Sequence, residues 1–194
     1  MQSTANKILN RIYGHGKGYA FSSKDFLDLA DRVAVDKTLS RLCSRGTIRR
    51  VLRGVYDFPR YHRDFGCLSP DYRQVAHAIV RKNGIDIQPS GAVAANMLGL
   101  SEQVPAKIVY FTNGKSRTVR IGNQILTFKR IGPKEMQPGS YIGVLVIQGL
   151  RFLGKTGVTD QTVDYLRNKL SQQVRRGGED FLRPTFPVTT PFFL

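Results

Sequence analysis

Cationic side chains concentrate in two places in the first third of the chain. Arg49, Arg50 and Arg53 fall within five residues of one another. Guanidinium groups donate paired hydrogen bonds to phosphate oxygens, so this spacing predicts contact with a nucleic-acid backbone or an adjacent minor groove. Just before them, cations and small hydroxyl side chains recur with helical spacing: Lys37, Ser40, Arg41, Ser44 and Arg45. Arginine and lysine bind guanine, and serine bonds base edges or phosphates, so this set predicts reading of the major groove.

The charge of the whole chain agrees with these two sets. Its net charge is +16, from 30 Lys and Arg against 14 Asp and Glu. This balance favours a polyanionic partner, usually nucleic acid and sometimes an anionic membrane surface. Residues 1–63 carry 13 Lys and Arg against 5 Asp and Glu, the same excess as residues 64–194 on less than half the length. Charge is therefore densest in the segment that contains both cationic sets.

The elements that position these side chains begin with two predicted helices. Apolar residues spaced three and four apart predict the first helix over residues 3–13, with Ser3 as its N-cap. Ser22 and Asp25 have the spacing of a capping box, which predicts a second, short helix. Lys24 lies near the start of that helix, where we expect it to meet the DNA backbone.

A third helix and a hairpin follow. The helix is predicted over residues 34–45, and its apolar face leaves the cationic set on the opposite side: Val35, Leu39, Leu42 and Cys43. Residues 47–58 are rich in β-branched and aromatic types, which predicts a hairpin that turns near Arg53 and Gly54. Three helices followed by a hairpin is the order of a winged helix-turn-helix. We therefore predict such a DNA-binding domain over residues 1–63.

The rest of the chain, residues 64–194, predicts a second domain of α+β class after a proline-bounded linker at 59–70. Its predicted helices cover residues 71–82, 90–98, 141–153 and 159–174, and its strands cover 107–112, 116–121 and 124–131. The turn dipeptides Asn113–Gly114 and Gly122–Asn123 between the strands predict an antiparallel sheet with flanking helices. The fold class predicted for the chain is thus α+β, with an N-terminal winged helix-turn-helix.

The second domain also carries cations on or beside its strands: Lys115, Arg117, Arg120, Lys129 and Arg130. Two interpretations stay open for them. They bind nucleic acid as well, or they protect strand edges from aggregation. The small residues of the helix at 90–98 permit close packing, either within the domain or at an interface.

Catalysis and metal binding find little support. The histidines at 15, 62 and 77 are scattered, and only His62 and Cys67 form a metal-capable pair close in sequence. No nucleophile elbow, phosphate-binding loop or dinucleotide motif is present. Asp160 and Asp164 are one helical turn apart near a helix start, where they complement the helix dipole. We expect no enzyme activity, no cofactor and no metal.

The compartment is predicted from the N-terminus and the cysteines. Residues 1–6 lack a basic start followed by an apolar run, and the apolar stretch at 141–153 is interrupted by polar residues. The chain has two cysteines and so no disulfide framework. We expect a cytoplasmic protein with no membrane partner.

Two segments resemble a known family. Residues 39–42 and 46–56 resemble the winged-helix domain of AbiEi-type antitoxins. Residues 89–101, together with 103–105 and 110–114, resemble the C-terminal domain of an AbiEi-like group. The resemblance covers most of residues 5–155.

The resemblance implies two roles. The N-terminal domain would bind inverted repeats in double-stranded DNA upstream of its own operon and repress it. The C-terminal domain would help to neutralise a cognate toxin of nucleotidyltransferase type. The family's DNA contacts fall at positions occupied here by Lys37, Arg41, Arg45, Arg49, Arg50 and Arg53. The alternative function is a protein-interaction adaptor without specific DNA binding.

Overall fold

The computed structural model describes residues 3–103, 107–136 and 140–175, and these form a mixed α+β structure, as predicted. The N-terminal segment comprises, in chain order, α1 (Thr4–His15), β1 (Ala20–Phe21), a 3-10 helix (Ser23–Phe26), α2 (Arg32–Ser44), β2 (Arg49–Leu52) and β3 (Val55–Asp57). The order of helices and strands matches the sequence prediction, with β1 as an additional strand.

Short polar side chains fix the starts of these helices. The Asp31 carboxylate accepts the backbone N–H of Ala34 at 2.9 Å, so α2 begins at Arg32. The carboxylate of Asp25 accepts the backbone N–H of Ser22 at 2.7 Å, which is half of the predicted capping box. The predicted short helix is a single 3-10 turn, Ser23–Phe26. Only four residues separate it from Asp31, the N-cap of α2, so a longer helix has no room.

One apolar cluster holds the N-terminal segment together. It contains the stripes of α1 and α2 and the rings that follow them, and its buried members are Ile8, Ile12, Phe21, Phe26, Val35, Leu39, Leu42, Ile48 and Tyr56. The edge of Phe26 meets the ring of Phe21 at 5.3 Å between centroids. The predicted apolar face of the third helix is confirmed at Val35, Leu39 and Leu42, whereas Cys43 is only partly buried.

The three strands of this segment form an antiparallel sheet with β3 in the centre. In the β2–β3 pair, Arg49 lies opposite Asp57 and Arg50 lies opposite Tyr56. The register shifts between Arg50 and Leu52, so β2 carries one extra residue, a β-bulge. The bulge decides which side chain of β2 faces Asp57.

The predicted linker contains a second hairpin, formed by β4 (Tyr61–His62) and β5 (Gly66–Cys67). Its base is closed by a hydrogen bond of 2.8 Å from the backbone N–H of Leu68 to the carbonyl of Arg60. The hairpin is therefore an ordered connection.

The C-terminal part comprises α3 (Tyr72–Asn83), β6 (Ile87–Pro89), α4 (Gly91–Leu98), β7 (Lys107–Thr112), β8 (Arg117–Ile121), β9 (Gln124–Arg130), α5 (Tyr141–Gly157) and α6 (Asp160–Arg175). Gly154 has a φ of +67°, so the regular part of α5 ends at Leu153, as predicted. No helix of the described residues is long and apolar enough to cross a bilayer.

The strand order of the C-terminal sheet differs from the prediction. The order is β6–β7–β9–β8, and β7 pairs with β9 in parallel. The predicted all-antiparallel sheet is therefore wrong at its central pair, although β6–β7 and β8–β9 are antiparallel. The chain after β7 passes through the turn at 113–116 and leaves one strand position empty before β8. The tight β8–β9 hairpin then places β9 in that position, between β7 and β8.

Helix α3 connects the two parts of the molecule. The larger apolar cluster contains Ala20 and Val55 of the N-terminal segment together with Val75 and Ile79 of α3. At the end of the helix, the Arg81 guanidinium donates to Asp25 at 2.6 Å and to the carbonyl of Ala20 at 2.8 Å. The N-terminal segment thus packs firmly on α3.

Candidate nucleic-acid interface

The solvent side of α2 carries the first predicted set of site residues. The apolar stripe of the helix points into the core and turns the opposite side outward. All five predicted residues of this set are exposed: Lys37, Ser40, Arg41, Ser44 and Arg45. Ser40 and Ser44 are one helical turn apart, as are Lys37 and Arg41, so hydroxyl groups and cations alternate along one surface.

The cations of this surface are available to a ligand. Among the described residues, no ion pair or hydrogen bond engages the side chains of Lys37, Arg41 or Arg45. By contrast, Arg32 at the start of the same helix donates to Asp36 at 2.8 Å. The outward side of α2 therefore presents three uncompensated positive charges, which is the electrostatic requirement for a DNA phosphate or a guanine edge.

The β2–β3 hairpin contributes two exposed arginines. The guanidinium of Arg50 lies 5.5 Å above the Tyr56 ring and donates to the Tyr56 hydroxyl at 3.3 Å. That hydrogen bond raises the pKa of Arg50, so its charge is fixed. Arg53 is exposed at the turn, where Gly54 has a φ of +71° that favours glycine. Both arginines remain candidates for backbone contact.

Arg49 has a different environment from its neighbours. Its guanidinium forms two hydrogen bonds with the Asp57 carboxylate, Nε–Oδ1 at 3.0 Å and Nη2–Oδ2 at 2.6 Å. It also donates to the carbonyl of Leu68 at 3.0 Å. The side chain of Asp57 is 2% exposed, and its pairing raises the pKa of Arg49. Arg49 holds the hairpins together, because its guanidinium is engaged by Asp57 and by the carbonyl of Leu68.

Lys24 is exposed on the 3-10 helix. That helix packs beside α2, because the Ser23 hydroxyl donates to the Asp36 carboxylate. No contact among the described residues joins Lys24 to the predicted set on α2, so it stays a separate candidate.

Lys82 of the C-terminal part lies at the hairpin turn and was not among the predicted site residues. The ammonium of Lys82 donates to the carbonyl of Arg53 at 2.6 Å. Burial lowers the pKa of Lys82, and the positive charges of Arg117, Arg32 and Arg53 lower it further. The hairpin turn and the end of α3 are therefore in contact. Because Lys82 is 29 residues from Arg53, no local pattern could reveal this contact.

Comparison with known proteins identifies a family but no activity. The model of the DUF6088 family, a family of unknown function, matches residues 7–177. The match covers most of the chain, so the protein belongs to this family. None of the curated proteins compared with the chain matches it significantly.

Proposed function

We propose that this member of the DUF6088 family is a sequence-specific DNA-binding transcriptional repressor. The observation that carries the proposal is the outward surface of α2, where Lys37, Arg41 and Arg45 alternate with Ser40 and Ser44 and have no ion-pair partner among the described residues. A surface of this composition matches the donors and acceptors of a major groove. The apolar stripe on the other side of α2 makes this orientation obligatory.

The proposal includes a winged helix-turn-helix over residues 4–58. Its support is the order of the elements, α1, β1, the 3-10 helix, α2, β2 and β3, with β3 between the other two strands. In such a domain the second main helix enters the major groove and the hairpin contacts the adjacent backbone. Arg50 and Arg53 then bind phosphates, with Lys24 as a further backbone contact.

A DNase I footprint tests the proposal. The full chain is titrated onto the DNA upstream of its own operon, and two protected half-sites within an inverted repeat are expected. Arg41→Ala should give no protection at protein concentrations at which the unaltered protein saturates both half-sites. Arg167→Ala is the matched control, because Arg167 is 71% exposed on α6 and pairs only with Asp164 among the described residues. Absence of any protected site, or equal protection of unrelated DNA, contradicts sequence-specific repression.

A second candidate function is protein binding by the C-terminal helices. Four apolar side chains of α5 and α6 are between 39% and 50% exposed: Ile147, Phe152, Val163 and Tyr165. Exposed apolar surface is one basis for contact with another protein. The form implied by the resemblance to AbiEi-type antitoxins is neutralisation of a nucleotidyltransferase-type toxin.

Co-expression with such a toxin tests the second candidate. Growth rescue and co-elution on size exclusion are expected, and Phe152→Asp should abolish both without affecting the footprint. Recovery of one stable partner protein by a chain that has no DNA affinity at moderate salt would support the adaptor alternative instead.

A further inference from the structure

Three tyrosines, an arginine and a histidine lie together where α3 meets β7 and the start of α5. We call this set the tyrosine–arginine cluster, and its members are Tyr72, Arg73, His77, Tyr110 and Tyr141. Tyr110 is completely buried and Arg73 is 8% exposed. The Arg73 guanidinium lies 5.5 Å above the Tyr72 ring, and the rings of His77 and Tyr141 are 6.4 Å apart. The cluster is thus a polar region inside an apolar core.

Several polar atoms of the cluster have no partner. The Tyr110 hydroxyl, Nε of Arg73 and Nε2 of His77 are buried, and they make no hydrogen bond with the described residues. Arg73 forms an ion pair with Asp71, whose Oδ1 lies 3.8 Å from Nε of Arg73, a distance too long for a hydrogen bond. Buried donors without partners are rare in folded proteins, so each of these atoms requires an explanation.

Tyr110 is a buried member of the larger apolar cluster, and Tyr72 and Tyr141 pack against that cluster. Burial raises the pKa of Tyr110 well above its usual value, with Tyr141 and Tyr72 adding to the effect and Arg73 opposing it. Burial also raises the pKa of Tyr141 to about 12. Both hydroxyls therefore keep their protons. The Tyr141 hydroxyl donates to the Met97 sulfur, a weak acceptor, at 4.0 Å, whereas the Tyr110 hydroxyl has no partner among the described residues. Arg73 and His77 are four residues apart on α3 and so share one face of the helix.

We propose that the tyrosine–arginine cluster binds the carboxylate or phosphate group of a small molecule. A guanidinium N–H and tyrosine hydroxyls are the donors that such an oxyanion requires, and a buried setting strengthens each of these hydrogen bonds. The Asp71 carboxylate is held by the backbone N–H of Arg73 at 2.9 Å, where it caps α3. Its charge disfavours a doubly charged group, so the cluster prefers a carboxylate over a phosphate.

Helix α3 links this site to the proposed DNA interface, and this part of the inference rests on the proposed function. The helix carries Arg73 in its first turn, whereas Arg81 and Lys82 in its last turn hold Asp25 and the β2–β3 turn. A ligand that orders the start of α3 acts on the same rigid element that positions the N-terminal segment. Occupancy of the cluster should then change the affinity for DNA.

Thermal melting of the full chain tests the site itself, with sodium acetate or sodium phosphate compared with sodium chloride at equal ionic strength. We expect acetate, at ten times its dissociation constant, to raise the melting temperature by about 3–6 °C over chloride. If phosphate raises the melting temperature and acetate does not, the group that the cluster binds is a phosphate. Tyr110→Phe should lose the shift, whereas Arg41→Ala, which alters only the exposed surface of α2, should keep it.

Three outcomes would overturn the site. The first is no shift with either anion, which leaves a cluster filled by water. The second is an equal shift in Tyr110→Phe and the unaltered protein, which means that the anion binds elsewhere. The third is a Tyr110→Phe variant that melts far below the unaltered protein in chloride, because removal of a truly unpaired hydroxyl should not destabilise the fold. If the acetate shift is present but DNA affinity at equal ionic strength is unchanged, the site stands and the link to DNA binding is wrong.

Discussion

Arg49 and Asp57 form an ion pair whose loss should affect stability rather than DNA binding. Arg49→Met leaves a carboxylate that is 2% exposed without its partner. Removing one member of a buried pair costs about 3–5 kcal/mol, and we expect the lower end because the Arg49 side chain is 30% exposed. In a chain of this length, about 3 kcal/mol lowers the melting temperature by about 6–12 °C.

The assay is thermal denaturation followed by circular dichroism, with two comparison variants. Arg41→Met removes an arginine from the exposed surface of α2 and should change the free energy of unfolding by less than about 0.5 kcal/mol. The double variant Arg49→Met with Asp57→Leu removes the buried charge as well as its partner. It should melt above Arg49→Met alone, because an apolar pair has no carboxylate left without a counter-charge.

The opposite pattern would refute this assignment. If Arg49→Met melts within about 2 °C of the unaltered protein and weakens DNA binding as much as Arg41→Met does, Arg49 contacts DNA and the ion pair contributes little.

Four further predictions follow from the same contacts. Arg41→Ala should reduce the preference for the upstream duplex over a scrambled one by about 1–3 kcal/mol in a competition assay, and an unchanged preference would remove Arg41 from base recognition. Arg53→Ala should weaken binding to both duplexes alike and lower the salt slope by about 1, so a loss confined to one duplex would count against backbone contact. Burial lowers the pKa of His77 below 6.5, so the unfolded chain takes up this proton first as the pH falls. The free energy of unfolding should therefore decrease by at most about 1.4 kcal/mol per pH unit below pH 6.5. Urea titrations at several pH values should show a smaller decrease for His77→Gln, which has no histidine to protonate at this position. Arg81→Met should speed amide hydrogen exchange over residues 19–26, since it removes the ion pair to Asp25; unchanged exchange there would mean that other contacts hold the segment.

Local patterns predicted the helices and the surface of α2 well. The period of Val35, Leu39 and Leu42 decides which side of α2 is buried, so the exposure of Arg41 followed from sequence alone. The same helix, predicted over residues 34–45, begins two residues earlier, at Arg32. These features depend on neighbours within one or two helical turns, which a sequence displays directly.

Features set by register and by distant contacts could not be predicted. A two-residue turn at Arg53 and Gly54 without a bulge would place Arg50 opposite Asp57, and only the bulge in β2 gives that position to Arg49. The parallel pairing of β7 with β9 escaped prediction for a similar reason. Short turns favour sequential antiparallel neighbours, whereas the strand order depends on packing across the whole sheet.

The salt dependence of DNA affinity tests the central claim most directly. Fluorescence anisotropy would compare a duplex from the upstream region with a scrambled duplex at several salt concentrations. The exposed cations proposed for the interface number six in each protein chain: Lys24, Lys37, Arg41, Arg45, Arg50 and Arg53. Only phosphate contacts release counterions, so log affinity should fall with log salt at a slope between about −2.7 per bound chain, if Lys24, Arg50 and Arg53 alone contact phosphates, and about −5.4, if all six do. The upstream duplex should bind more tightly throughout. Equal affinity for both duplexes, or no binding at moderate salt, would contradict a sequence-specific DNA-binding function.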